Sequence, residues 1–223
     1  MSVTHSKTET VILLHGAGRS PRSMGRMAKA LSRQGYRVHN LGYPSRRLPI
    51  EGLAEHIGEQ VSKLQLDQQT KIYFVTHSLG GLVLRYYLKY DRSLNLGRVV
   101  MLAPPNQGAV LVDIFRQVPF VDWILGPVGG QIGSDSDSLP NTLGPADYEV
   151  GVIAGNRSFN PLFSPLIPGP DDGRVAVEST KLAGMTDFLV LPCIHPLIMN
   201  YRQVIQQTIQ FLQHGCFERS GTA

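Results

Sequence analysis

Residues 71–88 read KIYFVTHSLGGLVLRYYL, and this stretch decides how the rest of the chain is interpreted. The apolar run Ile72–Val75 predicts a buried strand, and apolar residues from Leu82 onward recur at helical spacing. Between them lies one tight turn with Ser78 at its apex. A strand, a sharp turn and a helix in this order hold a serine in the strained position of a nucleophile. The alternative is an N-capping serine before an ordinary helix, and the strand that directly precedes the turn favours the nucleophile.

Further short apolar runs alternate with stretches of helical period along the chain. The six predicted strands are Val11–His15, Arg37–Leu41, Lys71–Thr76, Arg98–Leu102, Glu149–Ala154 and Asp187–Leu191. Strands separated by helices predict an α/β fold, with a mostly parallel six-stranded sheet and helices on both faces. Because the length fits one domain, we expect residues 1–223 to form a single α/β unit.

The connection between the fourth and fifth predicted strands is the longest in the chain. Its first half has an apolar helical face and its second half is rich in Gly, Ser, Pro and Asp. This combination predicts a lid over about residues 104–146, and an ordinary surface excursion packed on the core is the alternative. The apolar residues expected to line the lid and substrate pocket are Ile114, Phe115, Phe120, Trp123 and Leu125.

Partners for Ser78 follow the last two predicted strands. Asp171 and Asp172 lie in the loop after the fifth strand, and His195 lies after the sixth. Because the carboxyl ends of parallel strands share one edge of a sheet, we expect Ser78, Asp172 and His195 to lie together. His195 would accept the serine proton, and Asp172 would fix the tautomer of His195. Asp171 is the alternative acid, and Gly173 directly after Asp172 favours Asp172.

The first predicted strand ends in the glycine-rich string HGAG, residues 15–18. In a parallel sheet this loop lies beside the Ser78 turn, so the N–H groups of Ala17 and Leu79 can hold a developing oxyanion together. Glycine-rich turns after a first strand also bind phosphates, but this string lacks the third glycine of a dinucleotide fingerprint.

Three other histidines are weaker candidates for the base. We expect His77 to point away from the nucleophile and to be structural, and His15 to brace the glycine-rich loop. His214 follows the last helix and is expected at the opposite edge of the sheet.

Composition excludes several other classes of protein. The net charge is +4, but the basic residues are scattered rather than gathered in a stripe, which argues against a nucleic-acid partner. The N-terminal residues lack a signal-peptide core and no apolar stretch could span a bilayer, so we expect a cytoplasmic protein without stable membrane insertion. Metal-ligand spacings are missing, and no metal or cofactor is expected. The two cysteines, Cys193 and Cys216, are predicted to be free thiols.

The motifs HGAG (15–18), THSLGG (76–81) and DDGRV (171–175), with the histidine after the last strand, resemble the α/β-hydrolase superfamily. More narrowly, they resemble its small bacterial lipases and carboxylesterases, over roughly residues 10–213. The resemblance implies Ser78 as nucleophile, His195 as base and Asp172 as acid. It also implies an oxyanion hole from the N–H groups of Ala17 and Leu79, and a lid insertion that begins at APPNQG (103–108). Thr76 departs from the family pattern, which usually has glycine there.

These inferences predict a serine hydrolase that cleaves carboxylic esters through an acyl-serine intermediate. The expected substrate is a small-molecule ester whose acyl or alcohol part is hydrophobic, because the expected lid residues are apolar. A thioesterase or an acyltransferase on the same three residues is the first alternative. A non-catalytic ligand-binding protein is the second, since fold alone does not fix function.

Overall fold

The computed structural model describes residues 9–91, 93–115 and 125–219. Its six strands are β1 (Thr10–Leu14), β2 (Arg37–Leu41), β3 (Ile72–His77), β4 (Leu96–Leu102), β5 (Val150–Gly155) and β6 (Asp187–Leu191). They form one sheet in the order β2-β1-β3-β4-β5-β6, and every neighbouring pair is parallel. The predicted sheet is confirmed, with each strand within two residues of its expected limits.

Helices cover both faces of this sheet. They are α1 (Gly25–Arg33), α2 (Ile50–Lys63), α3 (Leu79–Tyr90), α4 (Val110–Phe115), α5 (Leu139–Thr142) and α6 (Arg202–His214). Helices α1 and α6 pack on one face, whereas α2 and α3 pack together on the other. Short 3₁₀ turns complete the connections, and one of them, His195–Asn200, directly follows the loop after β6.

The core explains why the central strands are rich in apolar residues on both of their faces. In β1, Ile12 and Leu14 join the cluster under α2 and α3, while Val11 and Leu13 join the cluster under α1 and α6. Successive side chains of a strand point to opposite faces, so a strand covered on both faces must be apolar at every position. The central strands β1 and β3 are fully buried.

The long connection between β4 and β5 carries α4 and α5 and lies over the α2–α3 face. Val128 and Ile132 are buried in the core on that side. The Gln131 side chain donates to the Glu51 carboxylate at 2.7 and 2.9 Å and accepts the Ile50 N–H at 2.8 Å. These contacts anchor part of the expected lid to α2, so a lid movement of this part would have to break them.

Two further sequence features can be placed on this fold. Among the described residues, no helix is long and apolar enough to cross a membrane. Cys193 is buried beside the sheet, Cys216 is exposed after α6, and both are free thiols.

Candidate active site

Ser78 lies in the turn between β3 and α3 with a strained backbone. Its φ is +52° and its ψ is −121°, a combination that a residue with a side chain rarely adopts. Two backbone hydrogen bonds hold the turn: the Ser78 N–H donates to Leu102, and the Gly81 N–H donates to the Ser78 carbonyl, both at 2.9 Å. Ser78 precedes the helix, but its side chain makes no capping hydrogen bond. The Ser78 hydroxyl therefore does not cap the N-terminus of α3.

The glycines after Ser78 are required by close packing. A Cβ at Gly80 would lie 2.8 Å from the Leu14 carbonyl oxygen and 2.9 Å from that of His15, so only glycine lets α3 approach the end of β1. A Cβ at Gly81 would lie 3.4 Å from the Thr76 hydroxyl. The same Cβ would lie 3.0 Å from Pro104 Cβ, so the tighter packing at Gly81 is against Pro104.

A chain of hydrogen bonds joins Ser78, His195 and Asp172. His195 Nε2 lies 3.0 Å from Ser78 Oγ, and His195 Nδ1 lies 2.7 Å from Asp172 Oδ2. Asp172 is 1% exposed and His195 is 3% exposed, whereas Ser78 is partly open to solvent. With a carboxylate facing Nδ1, the proton of the neutral imidazole belongs on Nδ1, and Nε2 is free to accept from the serine hydroxyl.

The two neighbouring aspartates have different partners. Asp172 Oδ1 accepts the N–H groups of Arg174 and Val175 at 3.1 and 2.9 Å, which fixes the carboxylate so that Oδ2 faces His195. Asp171 Oδ1 instead accepts the Gly173 N–H at 2.7 Å, and its Oδ2 accepts the Ser164 hydroxyl. Asp171 therefore shapes the loop, while Asp172 reaches the histidine.

His77 contacts His195, and the sequence alone does not indicate this contact. Its Nε2 lies 3.1 Å from the backbone carbonyl oxygen of His195, and the two rings are 5.0 Å apart between centroids. Nε2 must carry the proton to donate there, which leaves Nδ1 bare and without a partner among the described residues. Burial, followed by the charges of His195 and Arg19, lowers the pKa of His77 well below its usual value. His77 is thus a neutral support behind His195.

The glycine-rich loop forms a tight turn beside Ser78. The Arg19 N–H donates to the Gly16 carbonyl, and Gly18 has a φ of +63°, as expected at the third position of a type II turn. The Gly18 N–H donates to Ser45 Oγ at 3.0 Å. Among the described residues, no hydrogen-bond partner is found for the N–H groups of Ala17 or Leu79.

His15 supports this loop, as expected. Its Nδ1 donates to the Gly16 carbonyl at 2.9 Å, and its Nε2 accepts the Tyr43 N–H at 3.4 Å. The His15 and Tyr43 rings stack at 4.2 Å, and the Tyr43 hydroxyl donates to the His15 carbonyl. Burial lowers the pKa of His15, which favours the neutral ring that both hydrogen bonds require.

The three expected lid residues that the structure describes have different surroundings. Ile114 is 46% exposed, and the Phe115 ring packs edge-on against Phe163 with centroids 5.3 Å apart. Leu125 packs against the core on the α2–α3 side. Phe120 and Trp123 lie outside the described residues.

Sequence reasoning missed the apolar part of the loop that also carries Asp172. Phe159 is 85% exposed and Leu162 is 76% exposed, close in sequence to Phe163. Residues of this loop line an open cavity of about 600 Å³; they are Ser158, Phe159, Asn160, Pro161, Ser164, Pro165, Gly169 and Asp171. The sequence FNPLF at residues 159–163, with two Phe and one Leu, could have indicated this apolar surface. This cavity is separate from Ser78, so it is not the place where the serine would act.

The part of the chain that is described contains no group of three His, Cys, Asp or Glu side chains that could hold a metal ion.

Comparisons with solved structures give relatives of the same fold. The mature lipase BlEst2 from Bacillus licheniformis is 17% identical, with a TM-score of 0.67, over 95% of this chain and 96% of that one. The metagenomic carboxyl esterase MGS0156 is 21% identical, with a TM-score of 0.68, over 85% and 65% of the two chains. Lipase B from Aspergillus fumigatus is 15% identical, with a TM-score of 0.71, over 94% and 54%. No curated protein matches the chain in sequence.

A match to a family model shows which protein family the chain belongs to. The model of the alpha/beta hydrolase family matches residues 11–203, which include Ser78, Asp172 and His195. The all-parallel sheet and the strained serine turn agree with that match. The resemblance inferred from the motifs is thus confirmed at this level, and the chain belongs to the alpha/beta hydrolase family.

Proposed function

We propose that this protein hydrolyses carboxylic esters through an acyl-serine intermediate on Ser78. The observation that carries the proposal is the continuous hydrogen-bond chain from Ser78 Oγ through His195 to Asp172. A serine is a weak nucleophile on its own, and a hydrogen-bonded base with an oriented imidazole activates it. Lipases and esterases among the similar structures support the same type of reaction.

In the first step His195 Nε2 takes the Ser78 proton while Ser78 Oγ bonds to the ester carbonyl carbon. Asp172, buried and fixed by two backbone N–H groups, stabilises the imidazolium that forms. The same imidazolium then protonates the departing alcohol as the ester C–O bond breaks, leaving the acyl group on Ser78. Water repeats the cycle in the second half: His195 takes its proton, the carboxylic acid leaves, and Ser78 recovers its hydrogen.

The negative charge on the carbonyl oxygen is held by the N–H groups of Ala17 and Leu79 in this proposal. Both belong to rigid elements, the turn braced by His15 and Ser45 and the first residue of α3. Such donors stabilise the transition state without rearranging during the reaction, and losing one typically lowers the rate about 10²–10³-fold.

The substrate is proposed to be a small ester with a hydrophobic part. The contact between Phe115 and Phe163 supports this choice, because it provides apolar surface on α4 and on the loop that carries Asp172. We further propose that residues of the 104–146 segment near α4 act as a lid that admits this part of the substrate. The anchored part around Gln131 would form the fixed base of that lid.

A fluorophosphonate probe tests the nucleophile directly. Intact-mass analysis of the wild-type protein should show one phosphonyl group per chain, located on Ser78 by peptide mapping. Ser78→Ala should remove the labelling with an unchanged melting temperature, whereas the control Ser32→Ala, an exposed serine of α1, should keep it. Wild-type protein that stays unlabelled and hydrolyses no 4-nitrophenyl ester from acetate to palmitate would refute the proposal. Hydrolysis of thioesters alone would instead favour the thioesterase alternative.

A further inference from the structure

His77 is a buried histidine that the mechanism above does not use. It is 2% exposed, it ends β3 and it directly precedes Ser78. Its Nε2 donates to the backbone carbonyl oxygen of His195 at 3.1 Å, and Ser78 Oγ lies 3.0 Å from Nε2 of the same His195. Two consecutive residues of one turn therefore contact His195, one at its backbone and the other at its reacting nitrogen.

The backbone of His195 is held from two sides. Its N–H donates to the backbone carbonyl of Asp172 at 2.9 Å, and its own carbonyl accepts the N–H of the His77 ring. The first contact comes from the loop after β5, and the second comes from the end of β3. Of these two contacts, the one from His77 joins the base to the strand that ends directly before Ser78.

The His77 ring also packs against the glycine-rich turn. A Cβ at Gly16 would lie 2.8 Å from His77 Nδ1 and 3.1 Å from Cε1 of the same ring, so residue 16 has to be glycine while the ring occupies this place. On its other side the ring lies 5.0 Å from the His195 ring between centroids. A buried ring confined in this way has little freedom to turn, which fixes the direction of its N–H toward His195.

We propose that His77 is a positioning residue, whose hydrogen bond to the His195 carbonyl sets the place of the base relative to Ser78. The inference rests on the proposed ester hydrolysis. Because His77 is buried, it acts through His195 and not on the substrate. Proton transfer needs the base within hydrogen-bond reach of the nucleophile, and a displacement of about 1 Å can lower the rate about 10²-fold.

Two amides of different length separate the hydrogen bond from the other effects of substitution. In His77→Gln the amide nitrogen can take the place of Nε2 and donate to the His195 carbonyl, whereas in His77→Asn it reaches only the place of Nδ1. With 4-nitrophenyl butyrate, His77→Asn should lower kcat about 10- to 10²-fold, and His77→Gln should stay within about threefold of the wild type. His77→Leu, which fills space without a donor, should resemble His77→Asn.

The kinetic constants are measured separately. His195 transfers a proton in both half-reactions, so a displaced base slows acylation and deacylation together and should leave KM within about twofold. The rate at which a fluorophosphonate labels Ser78 should fall with kcat, because labelling needs the same activated serine.

His39→Leu in β2 is the matched control. Like His77, His39 has a buried ring nitrogen without a hydrogen-bond partner among the described residues, but it lies on the edge strand of the sheet. This variant should leave kcat and the labelling rate unchanged. The melting temperature of every variant shows whether it is folded at the assay temperature, and His77→Leu replaces His77→Asn in the comparison if the latter is not.

Three outcomes would overturn the positioning role. They are a folded His77→Asn protein with the kcat of the wild type, equal losses of kcat in His77→Asn and His77→Gln, and a loss in His39→Leu as large as that in His77→Asn. Hydrolysis of 4-nitrophenyl butyrate and labelling of Ser78 by the wild-type protein report separately on the proposed function. If both are absent, the proposed function fails and the positioning role fails with it.

Discussion

Replacing Arg85 should show how much the segment between β4 and β5 depends on one buried cation. Arg85 lies in α3, is 6% exposed and donates to carbonyl oxygens of Asn106, Pro140 and Gly144, each at 2.9 Å. Burial lowers the pKa of its guanidinium to about 10, so the group remains charged at neutral pH. The side chain therefore joins α3 to both ends of the expected lid.

Arg85→Met removes the donor while keeping much of the side-chain volume. Three carbonyl oxygens then lose their partner, at about 1 kcal/mol each, which predicts a loss of about 3 kcal/mol in the free energy of unfolding. For a domain of this size each 1 kcal/mol shifts Tm by about 2–4 °C, so Tm should fall by about 6–12 °C. Part of this loss is offset because a buried charge no longer has to be desolvated, which makes the figure an upper value.

Differential scanning calorimetry and urea unfolding measure the effect. Arg33→Met, an exposed arginine of α1, is the control and should change stability by less than about 0.5 kcal/mol. Arg85→Lys keeps the charge but offers a single nitrogen, so it should fall between the wild type and Arg85→Met. An Arg85→Met protein whose Tm equals that of the wild type would refute the argument that these three hydrogen bonds hold the segment.

Three other perturbations follow from the site. Asp172→Asn should lower kcat/KM for 4-nitrophenyl butyrate by about 10³–10⁴-fold and Asp171→Asn by far less, because Asp172 faces His195; equal losses would contradict these roles. Burial lowers the pKa values of His15 and His77, so both histidines bind protons more readily in the unfolded chain than in the folded protein. Stability should be complete above about pH 6.5 and decline below it, by up to about 1.4 kcal/mol per pH unit for each histidine. Urea unfolding at pH 7.5, 6.5 and 5.5 measures this dependence of the free energy of unfolding on pH. His77→Gln should make the dependence weaker, whereas an unchanged dependence would exclude His77 as one of its causes. Phe115→Ala should lower kcat/KM more for octanoate than for acetate esters, and equal losses would argue against a pocket contact for Phe115.

Local patterns in the sequence were enough for the sheet and for the position of Ser78. The strands β1, β3 and β5 are buried along their whole length, so their apolar runs are visible without knowing their neighbours. The turn at Ser78 is equally local, since the strained serine and the close approach of Gly80 to β1 involve one strand–helix junction. The convergence of Ser78 with the loops after β5 and β6 follows from a general rule, that parallel strands present their carboxyl ends at one edge.

Orientation across long sequence distances was decided only by the tertiary structure. The sequence left Asp171 and Asp172 as rivals, and the turn that directs Asp172 toward His195 depends on hydrogen bonds from Arg174 and Val175. His77 was expected to point away from the nucleophile and to be structural, and its hydrogen bond to the His195 carbonyl, which joins residues from two separate strand ends, is a contact that the sequence did not indicate. Such contacts leave no periodic signal in the sequence.

The segment between β4 and β5 shows the same division. Its composition indicated an apolar helix followed by a flexible stretch, and α4 does lie in the first half. Two polar side chains attach the segment to the domain: Gln131 of the segment contacts α2, and Arg85 of α3 contacts the segment. The partners of both side chains are distant in the chain. Hydrophobic periodicity records which residues are buried, whereas the partner of a buried polar group is fixed only when the chain has folded around it.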